Sequence, residues 1–221
     1  MKAKEIIKII ENICPERLAY SWDNVGLLCG DENKDVKKVF VTLDTNINTV
    51  KEAISKNADM IVSHHPILLG GINDKLAEMF ELTDVKILDQ HTDDSSAGLG
   101  RYGRLDKAIK LGDFAEHCKK ILSTPFLRVS GDFEKDINTV AVASGSCSEI
   151  IPLAFEKGAD VIITGDMKYH NMIDMTELGI CVIDAGHYPT EICVMDIFED
   201  ILKDTDIEII KSENNDIFKL V

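Results

Sequence analysis

Residues 39–65 read VFVTLDTNINTVKEAISKNADMIVSHH, and this stretch decides the fold. It opens inside a β-branched run that predicts a strand from Val36 to Leu43. A helix with apolar residues at helical spacing follows, and a second apolar run predicts a strand from Asp59 to Ser63. The order strand, helix, strand indicates a parallel βαβ unit.

The same order returns in residues 140–166, which read VAVASGSCSEIIPLAFEKGADVIITGD. Laid over residues 39–65 without a gap, this segment suggests an internal repeat at an offset of 101 residues. The alternative is that any two βαβ units share Val, Ile and Ala at buried positions. Either interpretation gives two α/β halves that flank a middle segment. The identical pairs are Val39/Val140, Val41/Val142, Ala53/Ala154, Lys56/Lys157, Ala58/Ala159, Asp59/Asp160 and Ile61/Ile162.

The rest of the chain supplies further elements to both halves. Together they predict a first α/β lobe over residues 1–105, which includes the middle segment, and a second over residues 106–221, packed as one unit. The further elements are an opening helix that ends before Pro15, helices at Asn73–Leu82, Leu111–Leu122 and Pro189–Lys203, a turn-rich stretch at Asp93–Gly103, a strand at Ile180–Asp184 and an edge strand at Ile207–Ile210.

The net charge of the chain and the distribution of its apolar residues argue against some classes of function. The 221 residues include 39 acidic and 24 basic side chains, a formal charge of −15, which argues against a broad surface for nucleic acid. No run of 18 apolar residues exists, and the first 13 residues alternate charged with apolar side chains instead of forming an apolar signal core. We expect a cytoplasmic protein with neither a nucleic-acid nor a membrane partner.

The six cysteines never form a C-x-x-C pair, and most lie among apolar residues, as in Ile180-Cys181-Val182. In a chain of this length that pattern favours buried free thiols over a disulfide framework or a zinc ribbon.

His64 and His65 lie where the second apolar strand ends, the place at which open α/β sheets put their ligand sites. Adjacent side chains point to opposite faces while a strand continues, but beyond its end two imidazoles can converge on one metal or two. The alternative is a solvated turn in which one histidine bonds to the backbone.

A second motif, Gly186-His187-Tyr188-Pro189-Thr190-Glu191, follows another apolar strand. The i, i+4 spacing of His187 and Glu191 can bring imidazole and carboxylate together at a helix start. Alternatively, Glu191 caps the helix as its third residue. Two strand-end motifs, one in each half, offer three imidazoles and a carboxylate, which predicts a metal site between the halves.

Other polar residues are weaker candidates. Asp44 follows the first strand, and His170 follows Gly165-Asp166, the repeat's counterpart of His64-His65. Histidine and glycine at equivalent positions indicate different roles for the two halves. His91 and His117 lack such placement and are interpreted as surface histidines.

Six segments resemble the NIF-three-like proteins, also called GTP cyclohydrolase 1 type 2 homologs. The resemblance implies a two-lobed α/β fold with a dinuclear metal site in the cleft between the lobes, and a toroidal homohexamer. It also places His64, His65, His187 and Glu191 on the family's metal-ligand positions. The segments are WDNVGLLCGD (22–31), VTLDT (41–45), ADMIVSHHP (58–66), GLGRYG (98–103), GADVIITGDMKYH (158–170) and GHYPTE (186–191).

The chain departs from the family pattern at one place. Members carry a His-Thr-x-x-Asp block whose Asp bridges the two metals, followed by a Gly-Gly-x-Asn-Asp segment. Here Gly70-Gly71-Ile72-Asn73-Asp74 follows Pro66–Leu69 directly, so a helix, a strand and the bridging Asp are missing at the Leu69–Gly70 junction. The only His-Thr pair is His91-Thr92, and the following Asp93 or Asp94 is a weak substitute. Alternatively, the sequence omits residues that the natural chain has.

Loss of a bridging carboxylate predicts weaker binding of a second metal, because negative charge holds two cations close together. The leading hypothesis is a hydrolase that resembles GTP cyclohydrolase 1 type 2. It would use one or two Zn, Fe or Mn ions per chain to activate water against a purine nucleotide such as GTP, or a similar small molecule. His170 or Asp44 would move a proton or orient a ligand. The alternatives are a non-catalytic metal-binding scaffold or regulatory protein, and a metal-dependent phosphoesterase or amidohydrolase.

Overall fold

The computed structural model describes residues 1–19, 23–65, 71–90, 97–213 and 216–219. The chain packs into two units. The first unit comprises Met1–Leu69 and Val194–Val221, and the second comprises Gly70–Cys193. Within the described residues, no helix has the length and apolar character needed to cross a membrane.

The helices and strands alternate along most of the chain. A 3-10 turn at Glu16–Leu18 and another at Ser148–Ile150 interrupt the connections. In chain order the elements are α1 (Ala3–Ile13), β1 (Lys38–Asp44), α2 (Ile47–Ser55), β2 (Met60–His65), α3 (Gly71–Met79), β3 (Thr83–Asp89), β4 (Leu99–Lys110), α4 (Leu111–Ile121), β5 (Arg128–Ser130), β6 (Asp136–Ser146), α5 (Ile151–Glu156), β7 (Val161–Gly165), α6 (Tyr169–Glu177), β8 (Cys181–Asp184), α7 (His187–Glu191), α8 (Val194–Leu202) and β9 (Glu208–Lys211).

The first unit is built on a three-stranded parallel sheet in the order β2-β1-β9. The central strand β1 is buried from Val39 to Leu43, as expected for a parallel strand covered on both faces. Apolar residues of α1 and α8, among them Ile6, Ile10 and Phe198, are also buried. The C-terminal strand is thus an edge strand, as predicted, but it belongs to the first unit.

The second unit contains a six-stranded sheet in the order β3-β4-β6-β7-β8-β5. Strands β6, β7 and β8 are parallel, whereas β3, β4 and β5 pair antiparallel with their neighbours. A core of small and β-branched residues covers one face, where Ala141, Ala143 and Ile162 of the sheet meet Ile151 and Ala154 of α5. Close approach of α5 to the sheet depends on these alanines.

The internal repeat is visible in matching hydrogen bonds. In the first unit Asp59 accepts from the backbone N–H groups of Lys37 and Lys38 at 2.9 and 3.1 Å. In the second unit the counterpart carboxylate accepts from two N–H groups at 2.9 Å, and every partner is shifted by 101 residues. The strand registers match as well. The equivalent contacts of the second unit are those of Asp160 with Asn138 and Thr139, and the pairs Val39↔Met60 and Val140↔Val161 define the two registers.

Several expectations from the sequence differ from the structure. The units divide the chain near residues 69 and 193 instead of at 105/106, because β9 returns to pair with β1 while β3 and β4 pair into the second sheet. The stretch predicted as turn-rich contains the start of β4 at Leu99. The predicted helix from Pro189 to Lys203 is two helices, α7 and α8.

All six cysteines lie in described residues and are free thiols. Cys118, Cys181 and Cys193 are buried as expected, but Cys29 is exposed. Burial raises the pKa of the Cys14 thiol to about 11, so this cysteine is neutral at physiological pH.

Candidate functional site

His64 and His65 are the last two residues of β2. The His64 side chain is buried, with 3% of its surface exposed, while His65 is partly exposed. Their ring centroids lie only 4.6 Å apart, with the planes inclined by 42°. The two imidazoles therefore converge at the strand end, even though adjacent strand residues ordinarily diverge.

Asp44 ends β1 directly opposite His65 in the parallel register. Its Oδ1 lies 2.8 Å from Nδ1 of His65. A carboxylate that accepts from Nδ1–H fixes the imidazole tautomer and directs the Nε2 lone pair away from that contact. The sequence marked Asp44 at the end of the first strand, and the structure shows its carboxylate in contact with His65.

The ends of β1 and β2 are held by the same kind of hydrogen bond, from a side-chain hydroxyl to a backbone carbonyl two residues later. Thr42 Oγ1 donates to the carbonyl of Asp44 at 3.0 Å, and Ser63 Oγ donates to the carbonyl of His65 at 2.9 Å. Each hydroxyl satisfies a carbonyl at the strand end, where the ladder no longer supplies a partner. After Asp44, Asn46 caps α2 by accepting from the N–H of Asn48 at 2.9 Å, which fixes the direction of the chain.

In the second unit, His187 contacts two carboxylates. Its Nδ1 lies 2.7 Å from Oδ2 of Asp166, and its Nε2 lies 2.9 Å from Oε2 of Glu191, four residues later. The hydrogen bond and charge of Glu191, with those of Asp166, raise the pKa of His187 to about 9, although partial burial opposes this. Without a metal, His187 is an imidazolium at neutral pH.

Glu191 does not cap its helix. Helix α7 starts at His187, its N-cap is Gly186, and Glu191 is its final residue with the side chain buried against His187. The capping interpretation of Glu191 is therefore wrong, and the i, i+4 pairing predicted from the spacing is confirmed.

Two glycines, Gly145 and Gly165, leave space for the segment that carries His187 and Glu191. A Cβ on Gly145, whose φ is +64°, would lie 2.3 Å from Oε1 of Glu191. A Cβ on Gly165 would lie 2.6 Å from the carbonyl carbon of Gly186. In the repeat, Gly165 corresponds to His64, so the second unit has no space for an imidazole there. The different residues at equivalent positions thus have a steric reason.

Asp184 connects the segments that follow β7 and β8, which carry Asp166 and His187 respectively. Its carboxylate accepts from the N–H of Met167 and from the N–H of Gly186, both at 3.0 Å, and from Nη2 of Arg128. Only 3% of Asp184 is exposed. Sequence reasoning missed this residue and Arg128, although a carboxylate at the end of the apolar strand ICVID was a usable signal.

His170 is the second residue of α6 and is exposed, with its ring centroid 5.7 Å from that of Tyr169. Among the described residues, no hydrogen bond joins it to Asp166, His187 or Glu191. His117 is exposed on α4, as expected. His91, Thr92, Asp93, Asp94 and the Leu69–Gly70 junction lie outside the described residues.

Side chains of the kinds that can hold a metal are therefore present in both units: His64 and His65 in the first, and His187 and Glu191 in the second. A sequence profile of the DUF34/NIF3 family (NGG1p interacting factor 3) matches residues 1–71 and 69–217. The chain belongs to the DUF34/NIF3 family. The similarity covers nearly the whole sequence, as the six motif segments indicated.

Relatives and solved structures agree with this membership. The chain is 32% identical to a protein named GTP cyclohydrolase 1 type 2 homolog from Clostridium perfringens, with 100% of both chains covered. It resembles reduced HcgD from Methanocaldococcus jannaschii with 33% identity and a TM-score of 0.82, over 97% of this chain and 98% of that one. A Bacillus cereus protein related to NIF3 shares the fold, with a TM-score of 0.87 at 22% identity over 100% and 99% of the two chains.

The comparisons also locate a shortening in this DUF34/NIF3 chain. Alignment with the Clostridium perfringens relative spans 262 positions, which exceeds the 221 residues of this chain by 41. The two parts of the family match meet at residues 69–71. The family pattern is thus interrupted at the junction where the sequence predicted a missing segment.

Proposed function

We propose that the protein is a cytoplasmic metal-dependent hydrolase that resembles GTP cyclohydrolase 1 type 2 and acts on a purine nucleotide or a similar small molecule. One observation carries the proposal: each unit holds an imidazole by a carboxylate on Nδ1, His65 by Asp44 and His187 by Asp166. This contact is typical of histidines that ligate metals, because it fixes the tautomer and increases ligand basicity.

The proposed ligands are His64, His65, His187 and Glu191. Three imidazole nitrogens and a carboxylate oxygen form a donor set that suits Zn, Fe or Mn. Gly145 leaves the space that the Glu191 carboxylate occupies, since a side chain there would collide with it. The chemistry of the donor set and this cradle fit a divalent cation.

When bound, the metal supplies Lewis acidity that activates water as a nucleophile. The remaining functions belong to side chains. Asp44 and Asp166 hold two imidazoles in position, and His187 must release its extra proton when it becomes a ligand. Because Asp44 is engaged by His65, we assign proton transfer to His170, whose imidazole is exposed at the start of α6.

One metal per chain is the expected tight stoichiometry. The family's bridging Asp has no counterpart in the motif order of this sequence, so a second cation lacks the negative charge that would hold it. The free thiols fit a reducing compartment, and the −15 charge disfavours nucleic acid as a partner. We further propose that the chain forms the toroidal homohexamer implied by the family resemblance.

The experiment is turnover of GTP by purified protein reconstituted separately with Mn, Fe or Zn. We expect a ring-opened purine product with at least one metal, and loss of that product in His65→Ala. Absence of product with every metal would refute the cyclohydrolase assignment. Turnover of a phosphate ester or an amide in its place would favour the phosphoesterase or amidohydrolase alternative.

A non-catalytic metal-binding scaffold is the second candidate, and the shortening at residues 69–71 favours it. The double variant His64→Ala, His65→Ala separates the two. If it loses metal but keeps its assembly and its partner binding, that outcome favours an enzyme site. If the assembly dissociates, the metal is structural.

A further inference from the structure

A basic groove lies on the second unit, away from the candidate metal ligands. It has a volume of about 680 Å³ and is lined by residues of β3, β4, β6 and the α5–β7 turn, principally Lys86, Tyr102, Arg104, Thr139, Lys157 and Gly158. Thr139 lies near the start of β6, whereas Asp166 and His187 follow the carboxyl ends of β7 and β8. At 3.3 Å per strand residue, the two places are separated by roughly 20 Å along β6.

The strand register brings the groove side chains together. Lys86 pairs with Tyr102, and Arg104 pairs with Thr139 across β6. Tyr102 and Arg104 are two residues apart on β4, so all four side chains project from one face of the sheet. The face is set by sheet pairing and does not depend on a surface loop.

A β-bulge in β3 contributes to this arrangement. The register of β3 against β4 shifts between Thr83, which pairs with Arg104, and Lys86, which pairs with Tyr102. Asp84, inside the bulge, has a φ of +52°. Without the additional residue, Lys86 would point to the opposite face from Thr83, because side chains alternate along a strand. The bulge thus directs Lys86 into the groove.

The groove carries a net positive charge, although the chain as a whole is acidic. Lys86, Arg104 and Lys157 form no ion pair or side-chain hydrogen bond within the described residues, although the chain has 39 acidic side chains. Among the described residues that line the groove, Asp84 is the only carboxylate. A local excess of two positive charges therefore persists in a protein with a formal charge of −15.

We infer that this groove binds the phosphate groups of a small phosphorylated molecule. A guanidinium and two ammonium groups match phosphate oxygens, and the hydroxyls of Tyr102 and Thr139 supply neutral hydrogen-bond donors. The volume suits a small ligand, and the overall negative charge disfavours a long polyanion such as RNA. The site is independent of the metal and of the hydrolase proposal.

The test is titration of the full chain with inorganic pyrophosphate in the presence of EDTA, which prevents binding through a metal. We expect saturable binding by calorimetry and protection of Lys86 and Lys157 from chemical acetylation. The triple variant Lys86→Gln, Arg104→Gln, Lys157→Gln should bind at least tenfold more weakly. The double variant Lys86→Arg, Lys157→Arg, which keeps the charge, should bind within threefold of the parent.

The matched control is Lys51→Gln, Lys107→Gln, Lys120→Gln. It removes the same charge from three exposed lysines that likewise form no ion pair with the residues that the structure describes. Its affinity should stay within twofold of the parent. The inference is overturned if binding does not saturate, if both triple variants weaken equally, or if the groove lysines remain as reactive with pyrophosphate as without it.

Discussion

At the scale of single residues, the contact between His65 and Asp44 is the most informative. The carboxylate lies on the surface, with 54% of its side chain exposed, so its removal should leave the fold intact. Its 2.8 Å contact with Nδ1 fixes the tautomer of an imidazole that is one of the proposed metal ligands. A defect in the Asp44→Asn variant would therefore report on the site and not on stability.

We predict that Asp44→Asn weakens metal affinity by about tenfold to a hundredfold, the usual effect of losing such a partner. Competition with a metal chelator measures this affinity. Asp204→Asn, an exposed carboxylate of the same unit, is the control and should bind like the parent. Equal affinity of Asp44→Asn and the parent would show that Asp44 does not orient a ligand.

Asp184 predicts a different outcome because it is buried. Asn at this position cannot accept from Met167, Gly186 and Arg128 together, which leaves buried donors without a partner. We expect Asp184→Asn to lower the free energy of unfolding by about 2–4 kcal/mol. Urea denaturation checks this. A loss below about 0.5 kcal/mol, the level of an ordinary surface substitution, would contradict it.

Part of the site was predictable at this scale. His64, His65, His187 and Glu191 were recognisable because strand ends and i, i+4 spacing are local patterns. The contact of Asp166 with His187 was not recognisable, because it joins a residue after β7 to the first residue of α7. No local pattern gives that distance, although the repeat marked Asp166 as the counterpart of His65.

At the scale of elements, Asp59 and its counterpart Asp160 accept equivalent hydrogen bonds in the two βαβ units, and the contact of Asp59 gives a prediction. Asp59 sits before β2 and accepts from two N–H groups at the start of β1. The backbone N–H of Lys37, followed by that of Lys38, lowers the pKa of Asp59 despite some opposing desolvation. A lowered pKa in the folded state adds stability above the ordinary value of about 3.8, and this is lost as the pH falls through the lower folded pKa.

The Asp59→Asn variant should therefore be less stable than the parent at pH 7, and the difference should shrink as the pH falls below about 3.8. Urea denaturation at several pH values measures it. Asp204→Asn, which removes an exposed carboxylate of the same unit, is the surface control. A difference for Asp59→Asn that is constant from pH 7 to pH 3 would argue against a role for the charge.

Elements with strong periodicity were predictable, whereas β3 and the start of β4 were not. The first four residues of β3 are exposed, so this edge strand has no apolar alternation. The segment GLGRYG resembles a turn in composition, yet its glycines serve packing. A Cβ on Gly98 would lie 2.4 Å from the carbonyl oxygen of Asp89, and one on Gly103 would lie 2.7 Å from that of Thr83.

At the scale of the whole molecule, chain order and spatial order differ. The chain leaves the first unit near residue 69 and returns at Val194, where α8 and β9 complete that unit. A sequence shows where strands are, but the partner of β9 depends on which sheet edge is free after the other strands have paired. The predicted boundary at 105/106 therefore missed the division at 69 and 193.

The interruption of the family pattern at residues 69–71 also concerns the whole molecule. The Clostridium perfringens relative carries at least 41 positions that this chain lacks, yet the described strands of each unit still pair into a sheet. The fold thus tolerates the loss, and the consequence should fall on the number of metals bound. Two tightly bound cations per chain would show that another carboxylate replaces the family's bridging Asp.

Metal binding by the proposed ligands can be measured directly by equilibrium dialysis of the full chain against Zn, Mn or Fe, with elemental analysis of bound metal. We predict one tightly bound metal per chain for at least one cation, and its loss both in His65→Ala of the first unit and in Glu191→Ala of the second. His117→Ala, which removes an exposed histidine of α4, should bind as the parent does. Stoichiometric metal that persists in either ligand variant, or no stoichiometric metal in the parent, would contradict the account.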